Sequence, residues 1–266
     1  MYETSYHRAS DVNDAVTKMG GADDGKFLSG GQTLLPTMKQ RLAAPSDLID
    51  LTHIGDMHGI SIDGNMIRIG AATTHNEVAT HAELRALCPS ICDLAAHIGD
   101  PAVRHRGTIG GSIANNDPAA DYPAAMMALN AQIITSQRKI DTDDFFTGMF
   151  ETALKDDEVI VAVEFPAPAK GAYAKFPNPA SRYAMAGVFA AKLKNGMVRV
   201  GVTGASSGGV YRPADMEDAL KADWSEAAID GCTVDEGDML SDIHGSSAYR
   251  ANLVKVMAKR AIASAS

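Results

Sequence analysis

Two glycine-rich stretches hold the residue types best suited to chemistry. One is Leu28-Ser29-Gly30-Gly31-Gln32-Thr33-Leu34-Leu35-Pro36; the other runs Arg104-His105-Arg106-Gly107-Thr108-Ile109-Gly110-Gly111-Ser112-Ile113-Ala114-Asn115-Asn116-Asp117-Pro118-Ala119-Ala120-Asp121. A phosphate needs several N–H donors at close range, and a β-carbon on the approaching backbone obstructs that, so glycine at a strand-to-helix turn suits anion binding. Thr33, Thr108 and Ser112 add hydroxyl donors, while Arg104 and Arg106 either add charge near a pyrophosphate or are solvated. Either turn alone reads as an ordinary tight turn. Two of them in distant parts of one chain point to a single extended, phosphate-bearing ligand.

Other chemistries find little support. Neither turn has the Gly-Lys-Ser/Thr ending of a Walker A loop or the Gly-x-Gly-x-x-Gly dinucleotide pattern. Val202-Thr203-Gly204-Ala205-Ser206-Ser207-Gly208-Gly209-Val210 imitates the cofactor turn of short-chain dehydrogenases, but Val210 stands where its last glycine belongs, and too little chain follows for a doubly wound sheet. It reads as a strand end and a loop. His53, His58, His75, His81, His97 and His105 form no His-x-x-x-His pair, so solvated or capping roles are expected of them and no metal ligands are assigned. No Gly-x-Ser-x-Gly elbow is present. Cys88, Cys92 and Cys232 are too few for an iron–sulfur cluster, lack zinc spacing, and read as reduced core thiols.

The elements that must position the two turns are legible as periodicity. The chain has 266 residues, enough for at least two domains, and its net charge of -9 disfavours nucleic acid. No apolar run approaches the roughly 20 residues of a membrane span, and the first residues lack a secretory signal, so a cytoplasmic protein is expected. Thr4 to Gly20 reads as strand then helix with Ser10 as N-cap; Lys26-Phe27-Leu28 and Leu48-Ile49-Asp50-Leu51 read as strands, the latter parallel and buried. From Ile60 the period falls to two across an Asp63-Gly64-Asn65 hairpin, and Thr74-His75-Asn76-Glu77 fits a capping box. Ala82 to Ile98 reads as a helix interrupted at Pro89, and Asp121 as the cap of the next helix. Val159 to Phe165 is a strand, and Pro166 to Gly171 is the expected domain boundary. Beyond it, Ala184–Leu193 and Met197–Val202 flank the Asn195-Gly196 hairpin turn, and the remainder is expected to be mostly helical, ending at Tyr249–Ala263.

These residues resemble a known family. The two glycine motifs, together with Arg41-Leu42, Leu48-Ile49-Asp50-Leu51, Asp117-Pro118-Ala119-Ala120-Asp121, Arg199-Val200-Gly201-Val202-Thr203-Gly204-Ala205 and Tyr249-Arg250-Ala251-Asn252-Leu253, resemble the FAD-binding medium subunit of molybdenum hydroxylases, the carbon monoxide dehydrogenase and xanthine dehydrogenase type. The resemblance covers nearly the whole chain. It implies an α+β protein: a two-subdomain FAD-binding fold of the vanillyl-alcohol-oxidase (PCMH) type over residues 1–168, with subdomains of about 1–55 and 56–168, then a small α+β C-terminal domain over 169–266.

Carried over by position, Ser29, Gly30, Gly31, Gln32 and Thr33, with Thr108, Ile109, Gly110, Gly111 and Ser112, would cradle the FAD pyrophosphate, and Leu28, Leu34 and Ala114 would complete the cofactor-binding set. Asp121 matches a flavin-contacting aspartate and Lys175 a lysine near the ring. Val159 and Ile160 fall where apolar residues lie near the flavin or adenine, and Tyr183 where a tyrosine lies against the isoalloxazine. Gln32 replaces the His or Asn of some members. The resemblance further implies that electrons arrive from a molybdenum centre through [2Fe-2S] clusters. Molybdopterin and the clusters are expected only in a molybdenum large subunit and an iron–sulfur small subunit, assembled with this chain as a dimer of heterotrimers. No catalytic side chain is assigned, because the flavin performs the redox step. A stand-alone FAD oxidoreductase of the same fold and a non-catalytic nucleotide-binding module are the alternatives.

Overall fold

The computed structural model describes residues 1–266, beginning with a small parallel sheet. Strand β1 (Ser5–Arg8), helix α1 (Val12–Gly20), β2 (Gly25–Leu28), α2 (Leu34–Lys39) and β3 (Asp47–Asp50) alternate, and the strands pair in parallel in the order β1-β3-β2. The buried β3 is central. The cap of α1 is Asp11 rather than the expected Ser10: its carboxylate accepts from Asp14 N at 2.9 Å, while Ser10 donates its own N–H to Asp14. Two adjacent polar residues compete for one cap, and the carboxylate wins.

The next segment builds an antiparallel sheet and a helical layer. After the β4 (Ile60–Asp63) to β5 (Met66–Gly70) hairpin come α3 (His75–Thr80), α4 (Ala82–Leu87), α5 (Pro89–Ala96), α6 (Pro101–Arg104), α7 (Ile109–Asn115) and α8 (Tyr122–Ala128). Strands β6 (Gln132–Thr135) and β7 (Lys139–Asp141), the turn of helix α9 (Thr142–Phe145), the small β8 (Phe146–Gly148) and β9 (Glu151–Thr152) pair, and β10 (Ile160–Pro166) follow. The five-stranded order is β4-β5-β10-β6-β7. Thr74 forms the expected capping box with Glu77, and Pro89 divides α4 from α5.

The Pro166–Gly171 cluster does not form a loop. After Ala167 the chain enters β11 (Pro168–Pro177), which pairs antiparallel with β12 (Ala184–Leu193) and that with β13 (Val198–Thr203). Strand β12 is buried on both faces: Phe189, Ala191 and Leu193 join the large core of the first two sheets, whereas Ala186, Val188 and Ala190 join a second core. That explains its continuous apolar run, since a strand covered on both sides needs no polar alternation. The covering helices on the second side are α10 (Ala214–Ala222) and α11 (Ser247–Ser264). Residues 223–246 between them are irregular, with two short 3-10 turns, instead of helical as expected. Buried Arg199 on β13 ties this sheet to α8, donating to Met127 O and Asn130 Oδ1, each at 2.7 Å, and to Asp143.

Candidate functional site

The two glycine turns meet across a cavity of about 610 Å³ lined by all three larger sheets and their connecting loops. The first turn links β2 to α2. The backbone N–H groups of Gly30, Gly31, Gln32 and Thr33 donate to no acceptor within the chain, and all four residues line the cavity. Consecutive free donors at a turn make an anion cradle. Gly31 adopts φ +69°, a conformation that glycine takes without strain.

The second turn is built differently. Ile109 N donates to Thr73 O, Gly110 N to Ala71 O, Gly111 N to the Thr108 hydroxyl, and Ser112 N to Thr108 O, all at 2.9–3.1 Å. These donors are occupied inside the protein, so this side contributes a wall rather than a second set of N–H groups. A β-carbon on Gly110 would lie 2.5 Å from that of Ala71, so this glycine serves helix-to-turn packing. Gly111 and Ala114, both exposed, line the cavity, as does Ser112, whose hydroxyl has no partner. Ile109 turns away and is fully buried in the core. Direct contact joins the two turns: Ser29 Oγ lies 2.9 Å from Thr108 Oγ1, and a β-carbon on Gly30 would fall 2.1 Å from Arg106 O.

At another part of the cavity, Asp121, Lys175 and Tyr183 come together with Ser181 and Arg182. Asp121 precedes α8 but does not cap it with its side chain, contrary to expectation. Its carboxylate instead accepts from Lys175 Nζ at 3.0 Å and from the Tyr173 hydroxyl, and Lys175 also donates to His97 O at 3.3 Å. Both members of the ion pair are buried. Burial raises the Asp121 pKa, while the Lys175 charge and the Tyr173 hydrogen bond work against that rise. An ammonium held in this way presents positive charge to the cavity in a fixed place. Tyr183, half exposed, closes the rim.

Val159 and Ile160 supply apolar wall, positioned by their buried neighbour Glu158. That carboxylate accepts from Thr135 Oγ1 at 2.6 Å, from Arg138 Nε at 3.0 Å and from Lys155 N at 3.1 Å. Burial alone would raise its pKa, but these hydrogen bonds prevail and hold it at about 2.

Seventeen of the expected positions therefore share one cavity, Ile109 being the exception. Arg104 and Arg106 do not line it: Arg104 donates to Ile98 O and Gly99 O, and Arg106 is exposed. Three residues escaped sequence reasoning. Tyr173 stands two positions before Lys175 on one strand, a spacing that puts both on one face. Glu158 adjoins the Val159-Ile160 pair. His75, expected to be solvated or capping, is buried and lines the cavity with neither ring nitrogen hydrogen-bonded in the chain. Cys88, Cys92 and Cys232 are free and buried, and no helix is long and apolar enough to cross a membrane.

The lining suits FAD: a turn of free N–H donors for a diphosphate, a glycine-thinned wall beside it, and apolar surface with a fixed cation for a polar aromatic ring system. Comparison with known proteins gives the same cofactor. The family described as FAD binding domain in molybdopterin dehydrogenase matches residues 2–168. The chain is 33% identical to the nicotine 6-hydroxylase medium subunit of Paenarthrobacter nicotinovorans, over 98% of this chain and 96% of that one. It is 34% identical to the carbon monoxide dehydrogenase medium chain of Afipia carboxidovorans, over 97% and 94%. A solved carbon monoxide dehydrogenase from Hydrogenophaga pseudoflava, lacking the Mo-pyranopterin moiety of its cofactor, superposes with a TM-score of 0.87 at 33% identity, covering 98% of this chain and 96% of that one. In complexes of this type molybdopterin and the iron–sulfur clusters belong to other subunits, and FAD to the chain with this domain. The chain belongs to the FAD-binding medium subunits of the molybdenum hydroxylases, as an oxidoreductase subunit.

Proposed function

We propose that this chain is the electron exit of a cytoplasmic molybdenum hydroxylase, receiving electrons from a partner [2Fe-2S] subunit and delivering them to an external acceptor. Its partners in this reading are an iron–sulfur small subunit and a molybdenum large subunit, assembled as a dimer of heterotrimers. Residues 1–168 form the FAD-binding unit and 169–266 the C-terminal domain that closes over it. Bound FAD supplies a redox centre that can exchange electrons singly or in pairs.

The chain's own residues bind and orient. The N–H groups of Gly30, Gly31, Gln32 and Thr33 would hold the pyrophosphate through their backbone dipoles, with no charged side chain needed at that turn. Gly111, Ser112 and Ala114 form the opposite wall, and Leu28, Leu34, Val159 and Ile160 exclude water. Lys175, fixed by Asp121, would favour negative charge on the ring system, and Tyr183 stands at the rim of the cavity that would hold it. The observation that carries the reading is the run of four free donors opening onto this cavity. The purified chain should show a flavin absorption spectrum, as isolated or after reconstitution with FAD. A chain that stays colourless under both conditions refutes the reading, and recovery without iron–sulfur or molybdenum subunits from its native source refutes the assembly.

A further inference from the structure

His75 is the first residue of α3, tethered by its backbone N–H to Gly107 O at 2.9 Å and preceded by the Thr74–Glu77 capping box. The backbone is thus fixed on both sides of a ring that is 5% exposed. Neither ring nitrogen has a partner in the protein, and Nδ1 is fully buried. Leaving a buried polar atom unpaired is costly, so an imidazole placed here needs a reason outside the chain itself.

The ring's neighbours indicate one. A β-carbon on Gly107 would lie 2.6 Å from His75 Nε2, and one on Gly30 would lie 2.7 Å from the Gly107 α-carbon. Nε2, Gly107 and Gly30 therefore stack in consecutive contact, and Gly30 opens the turn of free N–H donors. On its other side the imidazole faces the Tyr122 ring, 5.4 Å away between centroids, whose hydroxyl is itself buried and unpaired. Burial, with the Arg104 charge adding to it, lowers the His75 pKa to about 4. At neutral pH the ring is uncharged and carries one N–H, which no acceptor in the chain receives, and the ring lines the cavity.

We propose that His75 is a pyrophosphate-binding residue, its Nε2–H donating to the diphosphate held over the Gly30–Thr33 turn. This rests on the FAD-site reading and adds an imidazole donor to a cradle of backbone N–H groups and hydroxyls. His75 completes the cradle from the side where the N–H groups of Ile109, Gly110, Gly111 and Ser112 are already occupied within the chain.

The test measures FAD and ADP dissociation constants, and the melting temperature of the ligand-free chain, for wild type, His75→Leu and His75→Gln. ADP has the diphosphate without the flavin. His75→Leu should weaken FAD and ADP by the same factor, about ten- to a hundredfold for a hydrogen bond to a charged group. Its melting temperature should match or exceed that of wild type, because an unpaired buried nitrogen has been removed. His75→Gln, which keeps an N–H donor, should recover much of the affinity. Unchanged FAD affinity in His75→Leu overturns the proposal, as does a loss for FAD that spares ADP. If His75→Leu does not fold, His75→Phe is measured in its place; failure of both with His75→Gln folded marks a structural histidine and overturns it too. A wild-type chain that takes up no FAD removes the underlying reading instead.

Discussion

Adding one methyl group to Gly110 should cost stability, whereas adding it to Gly111 should cost ligand affinity. At Gly110 the new β-carbon would stand 2.5 Å from Ala71 Cβ and 2.7 Å from Ala71 O, against an optimum of about 3.5–4.0 Å between carbons. Helix α7 must retreat by about an ångström to restore that optimum. The retreat loosens the bonds from Gly110 N to Ala71 O and from Ile109 N to Thr73 O. Overpacking costs about 1–3 kcal/mol and the weakened bonds about 1 more, so about 3 kcal/mol is expected. For a chain of this size that lowers the melting temperature by about 5–10 °C. At Gly111 the β-carbon meets only the Thr108 hydroxyl at 3.0 Å and Ser29 Cβ at 3.9 Å, and alanine gains about 0.5–1 kcal/mol over glycine within a helix. Its methyl group enters the cavity, where a steric penalty of about 1–3 kcal/mol weakens FAD about five- to a hundredfold. Thermal melts of the ligand-free variants and FAD titrations followed by flavin fluorescence separate the two effects. A Gly110→Ala chain that melts with wild type, or a Gly111→Ala chain with unchanged FAD affinity, refutes the division of labour between these adjacent glycines.

Lys175→Met should destabilise the fold by about 3–5 kcal/mol, because it strands Asp121 as an unpaired buried carboxylate; adding Asp121→Asn should recover part of the loss in denaturant melts, and strict additivity would show that the pair is not coupled. Tyr173→Phe should cost about 1–2 kcal/mol through the lost hydrogen bond to Asp121, and a neutral effect on the melt would contradict that bond. Glu158 titrates at about 2 in the folded chain against 4.5 for an unperturbed glutamate, so the unfolded chain takes up its proton first as pH falls. Its stabilisation is complete above pH 4.5 and is lost as pH falls toward 2, by up to about 3 kcal/mol. Glu158→Gln should therefore flatten the acid limb of the stability profile, and an unchanged limb would remove Glu158 as its source.

What was legible in the sequence was local. Alternation and turn chemistry located the Gly64 and Gly196 hairpins, and the Thr74 capping box, because each is fixed by residues within a few positions of one another. Glycine density located the two cavity turns. It could not show whether a missing β-carbon faces a ligand or another stretch of backbone, and so Gly110 and Gly111 looked equivalent. Asp121 was placed correctly before a helix, but its partners Tyr173 and Lys175 lie 52 and 54 residues away, so a short-range cap was the only role its neighbours could suggest. His75 escaped for the same reason: burial comes from Tyr122 and Gly107, both remote in sequence. The helical expectation for 223–246 failed because turns of 3-10 helix bury Ile229 and place Met239 without a regular period.

The contact between Ser29 and Thr108, and between Gly30 and the Arg106-Gly107 backbone, makes the cavity a seam between the β1-β3-β2 sheet and the rest of the chain. A ligand lying in a seam acts as a tether. Its binding free energy adds to the docking of the small sheet, by about 2.7 kcal/mol when free FAD stands at a hundred times its dissociation constant. Amide hydrogen exchange in β1–β3 should therefore slow with FAD concentration, while the β12 and α11 core exchanges at a rate set by its own packing. Cofactor supply thus becomes a folding variable for the first fifty residues of the protein.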